Sequence, residues 1–105
     1  IRLSEMYLIR AEGNFRSGTS VGATPLQDVN TIRNRAGLPS LATVTLDNIL
    51  KERTLELAWE GINLQDAKRL QKPVGFFDWN APQLILPIPQ RETDVNKNLV
   101  QNAGY

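Results

Sequence analysis

The sequence contains no cysteine and no histidine among its 105 residues. The absence of both residue types excludes thiol nucleophiles, imidazole general bases, Ser-His-Asp triads and zinc sites built on Cys or His. Because domains without disulfides occur in reducing and in oxidising compartments, the missing cysteine does not fix the location. Much catalytic chemistry is thereby excluded, and we predict no catalytic residue, no metal site and no cofactor.

A surplus of charge of one sign is also missing, because twelve Lys and Arg residues are interleaved with eleven Asp and Glu residues and the net charge is +1. Binding to a phosphate backbone or to an anionic lipid surface requires a basic patch, which this distribution does not supply. No apolar run approaches the roughly 18 residues of a transmembrane helix, and no basic-then-apolar signal segment is visible at the start. We predict no nucleic-acid partner and no membrane span within the chain.

Amphipathic periodicity predicts three helices, at about residues 1–17, 25–36 and 46–70. The second has a defined start, because Thr24 and Gln27 have the spacing of a capping box, and a defined end at Gly37. Thr45 is the predicted cap of the third helix. Within that helix Gly61 predicts a kink or a break, since glycine costs about 1 kcal/mol relative to alanine in a helix interior.

Residues 71–105 are predicted to form an irregular C-terminal arm, because they lack sustained helical periodicity and contain four of the six prolines. Within the arm, residues 84–89 should be extended, residues 91–97 should form a short turn or helix, and the tail should pack back. The predicted fold class is therefore all-α. We expect a helical hairpin array, reminiscent of tetratricopeptide repeats, with an irregular proline-containing arm.

The glutamates Glu52, Glu56 and Glu60 recur every four residues, so their carboxylates would line one side of a helix. A glycoside hydrolase needs a pair of carboxylates at comparable separations, which makes hydrolysis one interpretation. Catalytic pairs usually project from different elements across a cleft, however, and we favour a row of ordinary ion pairs. The basic residues available to neutralise the row are Lys51, Arg53 and Arg10.

The segment Phe76-Phe77-Asp78-Trp79-Asn80 combines three aromatic rings with two hydrogen-bonding side chains in a loop flanked by glycine and proline. Sugars are bound by this pairing: an aromatic face packs on the C–H patch of a pyranose, and Asp or Asn bonds its hydroxyls. The alternative is that the rings anchor an irregular segment on the helices. We favour anchoring for the phenylalanines and leave both roles open for Trp79. The candidate ligand-binding residues are Trp79, Phe77, Asp78 and Asn80.

Three other aromatic residues are assigned structural roles. Trp59 falls on an apolar stripe of the third predicted helix and Tyr7 on that of the first, so we expect both in the core. Tyr105 ends the chain, and chain ends fray unless a side chain docks. We expect Tyr105 to dock against the helices.

Three segments carry a resemblance to a known family: residues 2–12 (RLSEMYLIRAE), residues 49–61 (ILKERTLELAWEG), and the ending at residues 84–105, which begins LILPIPQRE. In this order they resemble the C-terminal part of the SusD/RagB family of nutrient-binding outer-membrane lipoproteins. The chain departs from the family after Gly61, where residues 62–65 replace basic and aromatic residues that are frequent in relatives.

The resemblance implies that residues 1–105 are the C-terminal segment of a longer protein with a SusD-like fold, in which they serve mainly as scaffold. It implies a non-enzymatic, surface-exposed lipoprotein of the outer membrane that binds an oligosaccharide or another nutrient. The implied partner is a SusC-like TonB-dependent transporter, and the lipid anchor would lie outside these residues. The alternative is a tetratricopeptide-like protein-interaction module with a peptide in its groove.

Overall fold

The computed structural model describes residues 1–105 and contains five α-helices, a single 3-10 helix and no β-strand. The α-helices are α1 Leu3–Ser17, α2 Pro25–Arg35, α3 Leu46–Glu56, α4 Asn63–Arg69 and α5 Gln90–Val95. The chain divides into a first unit, Ile1–Gly61, and a second unit, Ile62–Tyr105. The predicted all-α fold class is confirmed, and none of the helices is both long and apolar enough to cross a bilayer.

Local signals define the helix ends in the first unit. α1 ends where Gly18 adopts a left-handed φ of 67°. α2 begins with the predicted capping box, in which Thr24 Oγ1 accepts from Gln27 N at 3.2 Å and the Gln27 side chain accepts from Thr24 N at 2.9 Å. α3 begins in the same way at Thr45, with Asn48 in place of the glutamine. Each box satisfies backbone N–H groups that would otherwise lack a partner.

The helical region predicted at about residues 46–70 is divided in the structure, where α3 ends at Glu56 and α4 begins at Asn63. Between them Trp59 has a φ of 66° and Gly61 a φ of 77°, and a right-handed helix does not continue through left-handed residues. The break that we expected at Gly61 is therefore present, and it begins a few residues ahead of this glycine. Trp59 lies in this turn with its side chain fully exposed, so its predicted place in the core is wrong.

The core of the first unit lies between its three helices. The buried apolar side chains are Leu8, Ala11, Val29, Ile32, Ile49 and Leu57. From the loop before α3, Leu41 and Val44 pack against the cluster formed by Ala11, Val29 and Ile49. Each fully buried aliphatic side chain contributes about 1.5–3 kcal/mol, so these residues supply most of the apolar stabilisation. Tyr7, which we also expected in the core, is half-buried.

Two asparagines hold the loops of the first unit. The side chain of Asn14 is buried in α1 and donates to the carbonyls of Val21 and Ala23 at 3.1 and 2.9 Å, while it accepts from the backbone N–H of Val21. Asn30 of α2 likewise bonds both backbone groups of Leu41. Backbone groups that are shielded from water require such partners, and the bonds of Asn14 and Asn30 are partly buried. These two amides therefore fix how the chain passes from one helix to the next.

The second unit has no buried residue. After α4 it contains a tight turn, the 3-10 helix Pro82–Leu84, an extended segment and α5. Leu84 closes the 3-10 helix, so the stretch predicted as extended at residues 84–89 begins one residue later.

The tail of the second unit returns along the extended segment, as predicted. Gln101 exchanges two hydrogen bonds with the backbone of Ile88, each 2.8 Å long. The hydroxyl of Tyr105 donates to the carbonyl of Gln83 at 3.3 Å. The bond of Tyr105 is therefore to the 3-10 helix, whereas we predicted docking on the α-helices.

Candidate functional site

The candidate loop, residues 76–80, follows a tight turn in the second unit. Val74 and Phe77 exchange two backbone hydrogen bonds of 2.9 and 3.1 Å, and Gly75 between them has a φ of 60°. A left-handed glycine at the first central position alone is typical of a type II′ turn. The turn places Phe76 at its tip, where the side chain is fully exposed.

The structure brings the four predicted site residues together on this loop, and all four are exposed. Phe77 is 44% exposed and Trp79 is 38% exposed. The side chains of Asp78 and Asn80 reach solvent and form no hydrogen bond within the chain. The loop thus offers aromatic surface beside a carboxylate and an amide with unused bonding capacity, which is the combination that sugar rings require.

Phe76 adds a residue that the sequence prediction did not include. The anchoring we favoured for both phenylalanines is wrong for Phe76, because its ring is fully exposed. Phe77 has more than half of its surface covered and fits partial anchoring. The exposure of Phe76 could have been predicted from Gly75. A glycine immediately before an aromatic residue in a loop marks a turn that presents the ring at its tip.

The glutamate row is neutralised by arginines, which confirms the structural interpretation of these carboxylates. In the first pair, Oε2 of Glu52 in α3 lies 3.0 Å from Nη1 of Arg33 in α2. Arg2, the residue before α1, is paired with Glu56 and with Glu60. The hydrogen bond to Glu60 raises the pKa of Arg2 above its ordinary value. Because each carboxylate of the row is bonded to a guanidinium, the row ties helices together instead of facing a substrate.

The basic partners differ from the predicted ones. Arg10 binds Asp28 of α2 through two hydrogen bonds of 2.9 and 2.6 Å, and Arg53 donates to Glu5 of α1 at 3.3 Å. Asp28 is only 1% exposed, so this two-point bond supplies the partner that a buried carboxylate requires. The same bond raises the pKa of Arg10. The sequence analysis did not identify Asp28 as a buried ion-pair partner. The one feature that could have indicated it is that Asp28 lies next to the apolar side of α2.

A shallow hollow of about 230 Å³ on α1 is lined by Leu3, Met6, Tyr7 and Arg10. It is smaller than the roughly 300 Å³ at which ligand pockets begin. The guanidinium of Arg10 lies 5.4 Å from the centre of the Tyr7 ring and is already bonded to Asp28. The chain also contains no group of three or more acidic side chains that could hold a metal ion. The exposed aromatic loop is therefore the better candidate site.

Comparison with known proteins identifies the family. The family model for the SusD family matches residues 1–83. The chain belongs to the SusD family. The starch-binding protein SusD of Bacteroides thetaiotaomicron is 31% identical over 122 aligned positions, which cover 99% of this chain and 21% of that protein. The resemblance seen in the three sequence segments is confirmed, and the chain spans about a fifth of this SusD relative.

Solved structures of SusD-like proteins show the same fold. The surface glycan-binding protein A of Bacteroides uniformis has 35% identity and a TM-score of 0.78 over 97% of this chain and 26% of its own. A SusD-like protein of Bacteroides fragilis has 28% identity and a TM-score of 0.70 over 100% of this chain and 25% of its own. A SusD superfamily protein of Parabacteroides distasonis, at 24% identity and a TM-score of 0.76 over 97% of this chain and 26% of its own, supports the fold alone.

Proposed function

We propose that this chain is the C-terminal segment of a SusD-like protein that binds a glycan at the cell surface, and that the segment acts mainly as scaffold. The observation that carries the proposal is the match to the SusD family over residues 1–83, together with 35% identity to a surface glycan-binding protein. The paired glutamate row and the buried aliphatic core support the scaffold role. The protein holds its ligand without breaking a bond.

The proposed setting is the outer membrane. The complete protein is a surface-exposed lipoprotein whose lipid anchor lies outside these residues, and it works with a SusC-like TonB-dependent transporter. The ligand is an oligosaccharide or another nutrient. This setting is what membership of the SusD family supports.

Within the segment, the loop at residues 76–80 is the proposed point of contact with the glycan. The rings of Phe77 and Trp79 would pack on the C–H face of a pyranose, and Asp78 and Asn80 would bond its hydroxyls. Loops held by a stable scaffold commonly carry binding residues. Exposure of all four side chains supports this role.

Isothermal calorimetry of the chain against a panel of soluble oligosaccharides tests the proposal. We expect one glycan to bind, and Trp79→Ala to weaken that binding about fivefold, in line with the energy of an aromatic contact. Val95→Ala is the control, because Val95 is an exposed apolar residue of the same unit outside the loop. Equal affinity of both variants and the unmodified chain would remove the loop from the proposal.

A protein-interaction module is the alternative function, and the outer side of α1 favours it. Leu3, Met6 and Ile9 are exposed on this helix. Exposed apolar residues on one side of a helix are typical of a surface that receives another helix or a peptide. A silent glycan panel combined with tight binding of a protein partner that Met6→Lys abolishes would favour the module.

A further inference from the structure

The loop between α1 and α2 passes very close to the side chain of Arg10 at Gly22. A Cβ atom on Gly22 would lie 2.7 Å from Nη1 of Arg10, 3.4 Å from Cζ and 3.5 Å from Cδ. The first distance is shorter than the contacts that Cβ atoms make in folded proteins. Gly22 also has a φ of 77°, which residues with a Cβ atom adopt rarely. The position therefore requires glycine for two separate reasons, its backbone conformation and the space that Arg10 occupies.

The guanidinium of Arg10 is not free to turn away from such an atom. Its Nε and Nη2 donate to the two carboxylate oxygens of Asp28 at 2.9 and 2.6 Å, and Asp28 is buried. A two-point bond fixes the plane of the guanidinium, so a shift of Nη1 disturbs both hydrogen bonds. The shift would also leave a buried carboxylate without its partner, which is unfavourable. The far end of this long side chain therefore belongs to the fixed part of the structure.

The backbone on the other side of the contact is held by Asn14. Its buried side chain donates to the carbonyls of Val21 and Ala23, the two neighbours of Gly22, and accepts from the backbone N–H of Val21. The hydroxyl of Thr19 donates to the same amide oxygen at 2.8 Å. Because these bonds lie on both sides of Gly22 in the chain, the contact with the guanidinium cannot widen unless they break.

We propose that residues 19–23 form a strap whose closed conformation positions Arg10 on Asp28, with Gly22 as the positioning residue. The strap and the ion pair meet at Gly22 without space for a side chain, so a methyl group there displaces the guanidinium from the carboxylate. The guanidinium moves before the strap does, because the end of a side chain shifts more easily than a backbone held by three bonds.

The strap acts on the contact between two helices. The Arg10–Asp28 pair joins α1 to α2, so a strap that controls this pair also controls how the two helices are held together. The inference concerns the first unit alone and does not depend on glycan binding.

Gly22→Ala and Gly37→Ala are a matched pair for testing the contact. Gly37 has a φ of 74° and no atom within 4 Å of its Cβ position, so alanine there meets the same backbone strain without a neighbour. We expect Gly22→Ala to raise the equilibrium constant for unfolding about tenfold more than Gly37→Ala does, as the weakening of a charged hydrogen bond would. Urea denaturation followed by circular dichroism measures both constants. Equal effects of the two substitutions would overturn the proposal.

Hydrogen exchange measured by NMR shows whether the ion pair itself changes, which a general loss of stability would not reveal. The Nε proton of Arg10 reports the bond to Asp28, and the amide proton of Val21 reports the strap. In Gly22→Ala we expect the Nε proton to exchange about tenfold faster and the Val21 proton to change by less than about twofold. Faster exchange of the Val21 proton alone would overturn the proposal, because the strap would then open and leave the ion pair intact.

Removal of the ion pair tests the cause of the effect. In an Arg10→Ala/Asp28→Ala chain no charge is left buried without its partner, and the atoms that approach Gly22 are gone. Gly22→Ala and Gly37→Ala should then raise the unfolding constant by the same factor. An excess for Gly22→Ala that persisted in this background would overturn the proposal, because another contact would cause it. If the double variant does not fold, the exchange measurement on Gly22→Ala decides alone.

Discussion

The two units of the chain are stabilised by different interactions. All buried side chains lie in the first unit, Ile1–Gly61, whose helices are also joined by arginine–carboxylate pairs such as Arg10–Asp28. The second unit, Ile62–Tyr105, has no buried residue and is held by turns and by side-chain bonds to backbone, as between Gln101 and Ile88. Apolar burial is the main favourable term in folding, so the first unit holds most of the stability.

This difference fits the proposed division of roles between a scaffold and a binding loop. Segments with few buried contacts open more easily, and binding loops are commonly drawn from them. The aromatic loop at residues 76–80 lies in the less stable unit and keeps its polar side chains free.

The strongest test of the comparison is a deletion in the core. Ile49 of α3 is fully buried, and Ile49→Ala should lower the free energy of unfolding by about 3 kcal/mol, through lost burial and the cavity left behind. Urea denaturation followed by circular dichroism measures this loss. Leu86→Ala is the matched control, since Leu86 is 83% exposed in the second unit and its truncation should cost less than about 0.5 kcal/mol. Similar losses in the two variants would show that the units do not differ as described.

A somewhat smaller effect is expected from the buried amide of α1. Asn14→Ala removes three partly buried hydrogen bonds to the backbone of Val21 and Ala23, and each such bond contributes about 0.5–1.5 kcal/mol. We expect a loss of about 2 kcal/mol in urea denaturation. Asn34→Ala is the control, because Asn34 is exposed and accepts a single side-chain bond, from Ser40. If Asn14→Ala were no more destabilising than Asn34→Ala, the loop would not depend on the amide.

The parts of the fold that follow local rules could be predicted from the sequence. The caps at Thr24 and Thr45 involve residues three positions apart, so their geometry depends on nothing distant. The end of α3 could not be predicted in this way, because its apolar pattern continues through Trp59 while the backbone does not. Hydrophobic periodicity shows which residues are apolar, and it does not show where the backbone φ changes from negative to positive.

The residue types of the candidate site could be predicted from the sequence, and the exposure of each ring could not. Aromatic and amide residues within five consecutive positions are visible in the sequence, and the structure exposes them. Which rings are covered depends on the turn at Gly75, which Phe76 follows. The arginine partners of the glutamate row could not be predicted either, because Arg2 and Arg33 are far from it in sequence and reach it only through helix packing. Binding by the loop stays a prediction.

A local effect is expected in the second unit. Gln101→Ala removes both bonds to the backbone of Ile88, which should release the tail without unfolding the helices of the first unit. The amide proton of Ile88 should then exchange about fivefold faster, as expected for the loss of about 1 kcal/mol of local stability. Hydrogen exchange measured by NMR reads this proton directly. Asn98→Ala, on the exposed part of the same tail, should leave the exchange unchanged. Faster exchange throughout α1 to α3 would contradict the separation of the units.

The smallest effect is expected from pH. The chain has no histidine, the side chain whose ordinary titration falls near neutrality. Hydrogen bonds to Asp28 and Glu60 raise the pKa of Arg10 and of Arg2, so both guanidiniums contribute stability at neutral pH and lose it only when strongly alkaline pH passes the raised pKa. The urea midpoint of the first unit should therefore change little between about pH 6 and pH 9.

The variant Arg10→Gln makes this pH prediction sharper. It removes the charged bond to Asp28 at every pH, so it should lower the midpoint by the same amount at both ends of the range. If the difference between the variant and the unmodified chain changed steeply within that range, a group titrating near neutrality would control the pair. The first unit would then be held by a pH-sensitive contact, and the contrast with the second unit would rest on its apolar core alone.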